Sequence, residues 1–214
     1  MISYSTDHIE KRLSALVGAP VFVASGALCG DESDYEQERE LVRNAVPKRR
    51  TEFFTGRRLA RQAMMRAGLP PAPVLRGAVG NPLWPDGITG SISHGQVHAL
   101  AAVAYCPPLR QLGIDLLEDP STVTDDLTAL ILNSHESELL RAMYPDHPPS
   151  ALAFSVKESV VKVASPELGS YLEMLDIRLK NQGDRLVAEV PSLPAAVPCL
   201  VLPTELGLLT ASFA

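Results

Sequence analysis

GNPLWPDGITGSISHGQVHALAAVAYCPPLRQLGIDLLE, residues 80–118, alternates turn chemistry with two apolar runs. Its first eleven residues hold three glycines and two prolines, which is loop or turn composition throughout. The tail of SISHGQVHALAAVAY, from Val97, is a run of small apolar residues. It reads equally as a buried strand or a short helix, because periodicity does not separate the two over so few positions. CPPLRQ breaks the chain a second time. LGIDLL then reads as a buried strand that ends in acids: Asp115, then Glu118 and Asp119.

Upstream, residues 31–43 (DESDYEQERELVR) are charged and suggest a solvated helix start. Residues 44–68 are the most basic part of the chain, with an apolar helix face predicted from about Glu52 and a stop at Gly68 before LPPAP. Downstream, residues 121–145 look helical, with Asn133 or Ser134 as a cap. ALAFSVKESVVKVAS reads as a helix ended by Pro166. Residues 171–214 hold several short β-type runs. GQVHALAAVAY and the terminal LGLLTASFA echo each other faintly, and no fixed-period repeat stands out.

The chain has 214 residues, enough for one domain or for two small halves sharing a core. Hydrophobic residues make up 46% and charged residues 21%, a globular balance that excludes wholesale disorder. With 19 basic and 25 acidic residues and only 5% aromatics, nucleic acid is not an expected partner. Cys29, Cys106 and Cys199 are scattered and form neither a disulfide framework nor a CxxC metal pair. MISYSTDHIEKRL has no apolar run and is not read as a signal peptide. The longest apolar stretch falls far short of the ~20 residues that span a membrane. A soluble cytoplasmic protein is expected, with no membrane partner.

Four groups of residues can carry chemistry. Asp115 sits at the end of an apolar strand, where α/β sheets place ligands, and Glu158 lies in a helix. Brought together they suit a hard divalent cation. The alternative is a solvated strand end plus a surface ion pair between Glu158 and Lys162, which are i and i+4. Ser93 and His94 follow the Gly-rich loop and offer donors to phosphate oxygens; a satisfied lone histidine is the plain alternative. Arg49, Arg50, Arg57, Arg58, Arg61 and Arg66, with Arg76 beyond, suit phosphate recognition, or form a solvated helix face. Arg57 and Arg61 repel at i,i+4 unless an anion sits between them. The sum points to polyphosphate binding with phosphoryl-type transfer or hydrolysis. There is no GxxxxGK[ST], so the chain is not a P-loop protein.

GNPLWPDGITGSISH (80–94), LGIDLLE (112–118) and FSVKESVVK (154–162), with KRRTEFFTGRRLAR (48–61) upstream, resemble 4′-phosphopantetheinyl transferases. The likeness spans about residues 45–175 and is greatest to the larger, single-chain, enterobactin- and surfactin-type branch with its actinobacterial members. It implies an α+β fold of two pseudo-symmetric halves, 1–112 and 113–214, with coenzyme A in the cleft between them. It implies transfer of phosphopantetheine from coenzyme A to a serine of an acyl or peptidyl carrier protein, by a monomer. Asp115 and Glu158 would hold Mg²⁺, with Mn²⁺ as the alternative. Glu158 would also act as general base, and Lys162 would neutralise the leaving phosphates. Ser93, His94, Arg49, Arg57 and Arg76 would contact the phosphates of coenzyme A. Gly77, Ala78 and Val79 would lie along the adenine, and Leu172 along the pantetheine arm.

Many members of this family carry a second acid two residues after the aspartate. Here that position is Leu117, and the acid comes one later, at Glu118. Water in the missing ligand's place is the favoured expectation; a bulge that brings Glu118 in, and a lower metal affinity and rate, are the alternatives. A non-catalytic coenzyme A or nucleotide-binding module and a metal-dependent phosphohydrolase remain as alternative functions.

Overall fold

Packing on both faces explains the run HALAAVAY. In the computed structural model, which describes residues 6–30 and 32–214, these residues form strand β5 (His98–Tyr105). Residues 1–5 of the amino-terminal stretch read above, and Asp31 of the charged segment, lie outside the described residues. β5 is the middle of an antiparallel sheet in the order β1 (Val21–Ala27), β5, β4 (Ile88–His94). Ala99, Ala101 and Val103 pack with Leu59, Ala60, Ala63 and Met64 of helix α3 (Pro47–Arg66). Leu100, Ala102 and Ala104 point into a second core. Both faces are covered, so the run is apolar throughout and its two-residue period disappears.

The second core joins this sheet to a five-stranded antiparallel one, ordered β6 (Leu112–Leu117), β10 (Gly207–Phe213), β9 (Val197–Thr204), β8 (Arg185–Glu189), β7 (Arg178–Gln182). Leu112, Ile114 and Leu116 enter it, with Leu209 and Ala211 of β10 and Ile9 and Leu13 of α1 (Thr6–Val17). The alternate residues Gly113, Asp115 and Leu117 lie under helix α6 (Pro149–Leu168), as strand geometry requires. The fold is thus mixed α and β, with a long helix on the outer face of each sheet. Among the described residues no helix is long and apolar enough to cross a membrane.

α6 approaches its sheet on small residues. A Cβ on Gly113 would run into the Ser159 carbonyl. Ser155 and Ser159 hydroxyls meet Thr210 at 3.0 Å and Ser212 at 2.7 Å. On the three-stranded sheet, Gly56 lets α3 close on Ile92 of β4, where a Cβ would stand 2.8 Å from the Ile92 methyl. β4 and β6 run side by side without a backbone ladder. Instead Ser91 Oγ accepts the Ile114 N–H and Ser93 Oγ accepts the Leu116 N–H, each at 3.0 Å.

Several local expectations are corrected. α3 begins at Pro47, not near Glu52, because proline suits the first helical turn, where its missing N–H goes unused. The charged segment holds helix α2 (Glu36–Leu41), but Glu38 within it is wholly buried rather than solvated. The 121–145 region is two helices, α4 (Asp125–Ile131) and α5 (Ser134–Met143), the second closed by a capping box between Asn133 and Glu136. Pro166 does not end α6. It lies in the last turn, where only one backbone bond is lost, and Gly169 at φ +66 terminates the helix. Between α3 and β4 the chain forms a short ribbon, β2 (Leu75–Arg76) with β3 (Pro82–Leu83).

Glu118 follows β6 and turns away from α6. Its carboxylate accepts the N–H groups of Gln96, Val97 and His98 at 2.6–2.8 Å and meets His98 Nδ1 at 2.7 Å. It therefore clamps the β4–β5 turn. Burial works against its ionised form, but the Val97 N–H, the His98 ring and the other two N–H groups outweigh that and hold its pKa below the usual value. A lowered carboxylate pKa contributes stability above the unfolded-state pKa and loses it as pH falls through the folded one. The Tm gap between wild type and Glu118→Gln should thus be full at neutral pH and close progressively below about pH 4.3. Gly113→Ala should cost about 1–3 kcal/mol by forcing α6 off β6, read as a lower midpoint in thermal denaturation.

Candidate functional site

The two long helices face each other across a cavity of about 480 Å³. α3 brings Arg49, Glu52, Phe53 and Arg57 to it. α6 brings Phe154, Glu158, Val161 and Lys162. β4 and β6 supply Ser93, His94 and Asp115.

Asp115 is nearly buried and heavily bonded. Its Oδ1 accepts Ser93 Oγ–H at 3.1 Å and Lys162 Nζ at 3.0 Å, and its Oδ2 accepts Ser155 Oγ–H at 2.9 Å. Lys162 Nζ also donates to the Ile114 carbonyl at 2.7 Å. Lys162 therefore bonds Asp115, and the surface ion pair with Glu158 expected as the plain alternative is absent. Among the described residues no donor reaches the Glu158 carboxylate. Burial raises its pKa, nearby Lys162 opposes, and Asp115 adds to the rise. Its neighbour Lys157 points into the core instead, fully buried, with Nζ 3.0 Å from Glu136 and 2.6 Å from the Ile131 carbonyl.

Asp115 and Glu158 are thus two hard oxygen donors at one cavity, Asp115 Oδ2 with a single donor and Glu158 with none. This set fits a divalent cation that completes its shell with water and phosphate oxygens. Among the described residues no cluster of three or more ligating side chains adds to it. Glu118 is not part of it: all its acceptor capacity is turned toward residues 96–98, so no bulge brings it in. Leu117 packs in the core with Leu152 and Val156.

The arginines separate into two sets. Arg61 Nη1 reaches both Glu38 oxygens, at 2.7 and 2.9 Å, Arg66 pairs with Asp7 and Glu10, and Arg50 with Glu32. Arg58 donates to Cys29 Sγ at 2.6 Å. The anion expected between Arg57 and Arg61 is therefore supplied by the chain itself, as Glu38. Arg49, Arg57 and Arg76 remain at the cavity. Arg57 stacks on Phe53 at 4.3 Å, and Arg76 lies 5.9 Å from the same ring. Burial pushes the Arg57 pKa down to about 10, against the opposing pull of Glu38. Among the described residues no carboxylate bonds Arg57 directly, so its guanidinium favours an incoming anion.

His94 Nε2 lies 3.0 Å from Arg49 Nη1. Val79 lines the cavity, but Gly77 and Ala78 do not. They occupy the turn between β2 and β3, where Asn81 folds over Gly77. Leu172 is also elsewhere, packed on the core beyond the end of α6. Glu52, Asn81, Trp84 and Gln111, assigned no site role from the sequence, also line the cavity. Trp84 carried a signal: it lies in the Gly-Pro loop, and its Nε1–H holds the Gly90 carbonyl at 2.9 Å. Nothing local distinguished Gln111.

A family model described as the 4′-phosphopantetheinyl transferase N-terminal domain matches residues 37–104. The chain is 41% identical over 153 residues to 4′-phosphopantetheinyl transferase Svp of Streptomyces mobaraensis, covering 70% of this chain and 62% of that protein. It is 32% identical over 148 residues to 4′-phosphopantetheinyl transferase PptT of Mycobacterium tuberculosis, covering 69% and 65%. Against enterobactin synthase component D of Salmonella typhimurium it is 38% identical over 128 residues, covering 59% and 53%. The match thus spans less than two thirds of each relative's length. The residues matched by the family model include Arg49, Arg57, Arg76, Ser93 and His94 of the cavity wall, and the chain is similar there, and over the stretches shared with these relatives, to the 4′-phosphopantetheinyl transferase family.

Proposed function

We propose that the chain transfers the 4′-phosphopantetheine group of coenzyme A to a serine hydroxyl of an acyl or peptidyl carrier protein and releases 3′,5′-ADP. The observation that carries this reading is the convergence on one cavity of Arg49, Arg57 and Arg76 with Asp115, Glu158 and Lys162. The halves 1–112 and 113–214 are read as the two walls of a coenzyme A cleft. Each sets a glycine at a close helix–strand contact, Gly56 against Ile92 and Gly113 against Ser159, which supports a pseudo-symmetric reading. One chain supplies every group, so a monomer suffices. The name of the enterobactin relative supports a carrier in siderophore synthesis, with polyketide, peptide or fatty-acid carriers as the wider class.

In this mechanism Arg49, Arg57, Arg76 and His94 bind the phosphates. Ser93 holds Asp115, and Asp115 holds Lys162. Asp115 and Glu158 hold the divalent cation, Mg²⁺ or Mn²⁺, which when bound supplies positive charge to the pyrophosphate. Glu158, with its raised pKa and no hydrogen-bond donor, takes the proton of the attacking serine hydroxyl, directly or through water. The serine oxygen bonds to the phosphorus bearing pantetheine, the pyrophosphate bridge breaks, and Lys162 neutralises the departing 3′,5′-ADP. Val79 and the Phe154–Val161 side of α6 give apolar surface to the rest of the ligand.

Incubation of an apo carrier with this protein, coenzyme A and Mg²⁺ should add one phosphopantetheine group to the carrier's intact mass. Coenzyme A binding without that gain favours the non-catalytic module, for which buried Leu117 is the motivating observation. Release of product without a carrier favours a phosphohydrolase. Glu158→Gln should lower transfer by about 10²–10⁴-fold, and full activity in both Glu158→Gln and Asp115→Asn would remove the site assignment. In chelator, Glu158→Gln should have a higher Tm than wild type at neutral pH, because it removes a half-buried carboxylate near Asp115 whose ionised form burial disfavours. That combination separates loss of chemistry from loss of fold.

A further inference from the structure

Glu38 is wholly buried, yet it is absent from the cavity wall. Its carboxylate accepts Ser33 Oγ–H at 2.5 Å, Arg61 at 2.7 and 2.9 Å, and the Val74 N–H at 2.8 Å. The carbonyl of the same residue, Val74, accepts Arg57 Nε–H at 2.7 Å, and the Leu75 carbonyl lies 3.4 Å from Arg57 Nη2. One short segment is thus gripped from α2 by an anion and from α3 by a cation. That segment leads directly into β2, which carries Arg76. Tyr35 completes the grip: its ring lies 4.9 Å from the Arg61 guanidinium, and its hydroxyl donates to the Pro71 carbonyl.

The arrangement costs desolvation that an apolar core would not, so stability alone is a weak reason for it. Its effect is on placement. With Nε and Nη2 spent on Val74 and Leu75, Arg57 can present only its remaining N–H groups to the cavity. Glu38 also favours the charged state of Arg57, which burial and the neighbouring arginines oppose.

We propose that Glu38 is a positioning residue for phosphate binding: by holding the Val74 peptide it sets where Arg57 and Arg76 meet the anionic ligand. The inference rests on the reading of the cavity as a coenzyme A site. It does not depend on transfer, because binding alone tests it.

The experiment is calorimetric titration of wild type, Glu38→Gln, Ser33→Ala, Arg57→Lys and the Glu38→Gln/Arg57→Lys double variant with coenzyme A and with 3′,5′-ADP, beside steady-state kinetics. Glu38→Gln should raise Kd for both ligands, and KM for coenzyme A, by about tenfold or more, leaving kcat and the carrier's KM within about threefold. A merely structural role would lower the active fraction, and so kcat, with Kd unchanged. Ser33→Ala removes one donor only and should shift Kd the same way by less, which keeps the test sharp where Glu38→Gln folds poorly. The double variant should bind no more weakly than the weaker single, since both act through one contact. Unchanged Kd in folded Glu38→Gln or in Ser33→Ala, or strict additivity with Arg57→Lys, overturns the inference alone. Failure of wild type to bind coenzyme A overturns the cavity reading and this inference together.

Discussion

Two serine hydroxyls hold the sheets to each other, and the candidate site is built on one of them. β4 and β6 lie alongside without a backbone ladder, so the Ile114 and Leu116 N–H groups need another acceptor. Ser91 and Ser93 provide it. A buried N–H left unpaired would cost about 1–3 kcal/mol, so the joint is well specified. A hydroxyl differs from a carbonyl in also being a donor. Ser93 spends that proton on Asp115, which in turn holds Lys162. The contact that joins the two sheets is therefore also the contact that orients the acid and the ammonium at the cavity.

α6 shows how one helix serves two purposes. Lys157 and Glu158 are adjacent in sequence and, a helical step of about 100° apart, serve different surroundings. Lys157 goes into the core, where Glu136 ties it to the start of α5 and, through the Leu179 N–H, to β7. That carboxylate is fully satisfied, as Glu38 is in the other half. Glu158 is left without a donor, and Arg57 keeps its charge at a cost. The buried charges that are paired off build the frame. Those that remain under-compensated face the cavity, where a ligand of opposite charge relieves them.

Much of this was legible in the chain. The strand at 112–117 and the helix carrying Lys157, Glu158 and Lys162 stand where the residues indicated, whereas the stretch 80–90, expected to be turn throughout, also holds β3 and the start of β4. The acid pair and three of the arginines line one cavity. Other features were hidden for definite reasons. β5 showed no alternation because both of its faces are covered. Glu38 sat in a charged run that looked solvated, and its burial depends on Arg61, Ser33 and Val74, which local reading does not bring together. Glu118, one residue off the expected acid, was an alternative ligand to water, and its bonds run instead to the β4–β5 turn.

The residues alone determined the chemical inventory: which acids, which cations, and which glycine-rich and proline-broken segments present them. Spacing and composition carry that information because turns, caps and helix faces are local. The tertiary structure alone decided which charges are used up internally and which face the cavity. Seven arginines in and after one basic stretch look alike in sequence. Glu32, Glu38, Asp7 and Glu10 take three of them. Those partners lie 18 to 59 residues away along the chain, and only folding brings such pairs within hydrogen-bonding range.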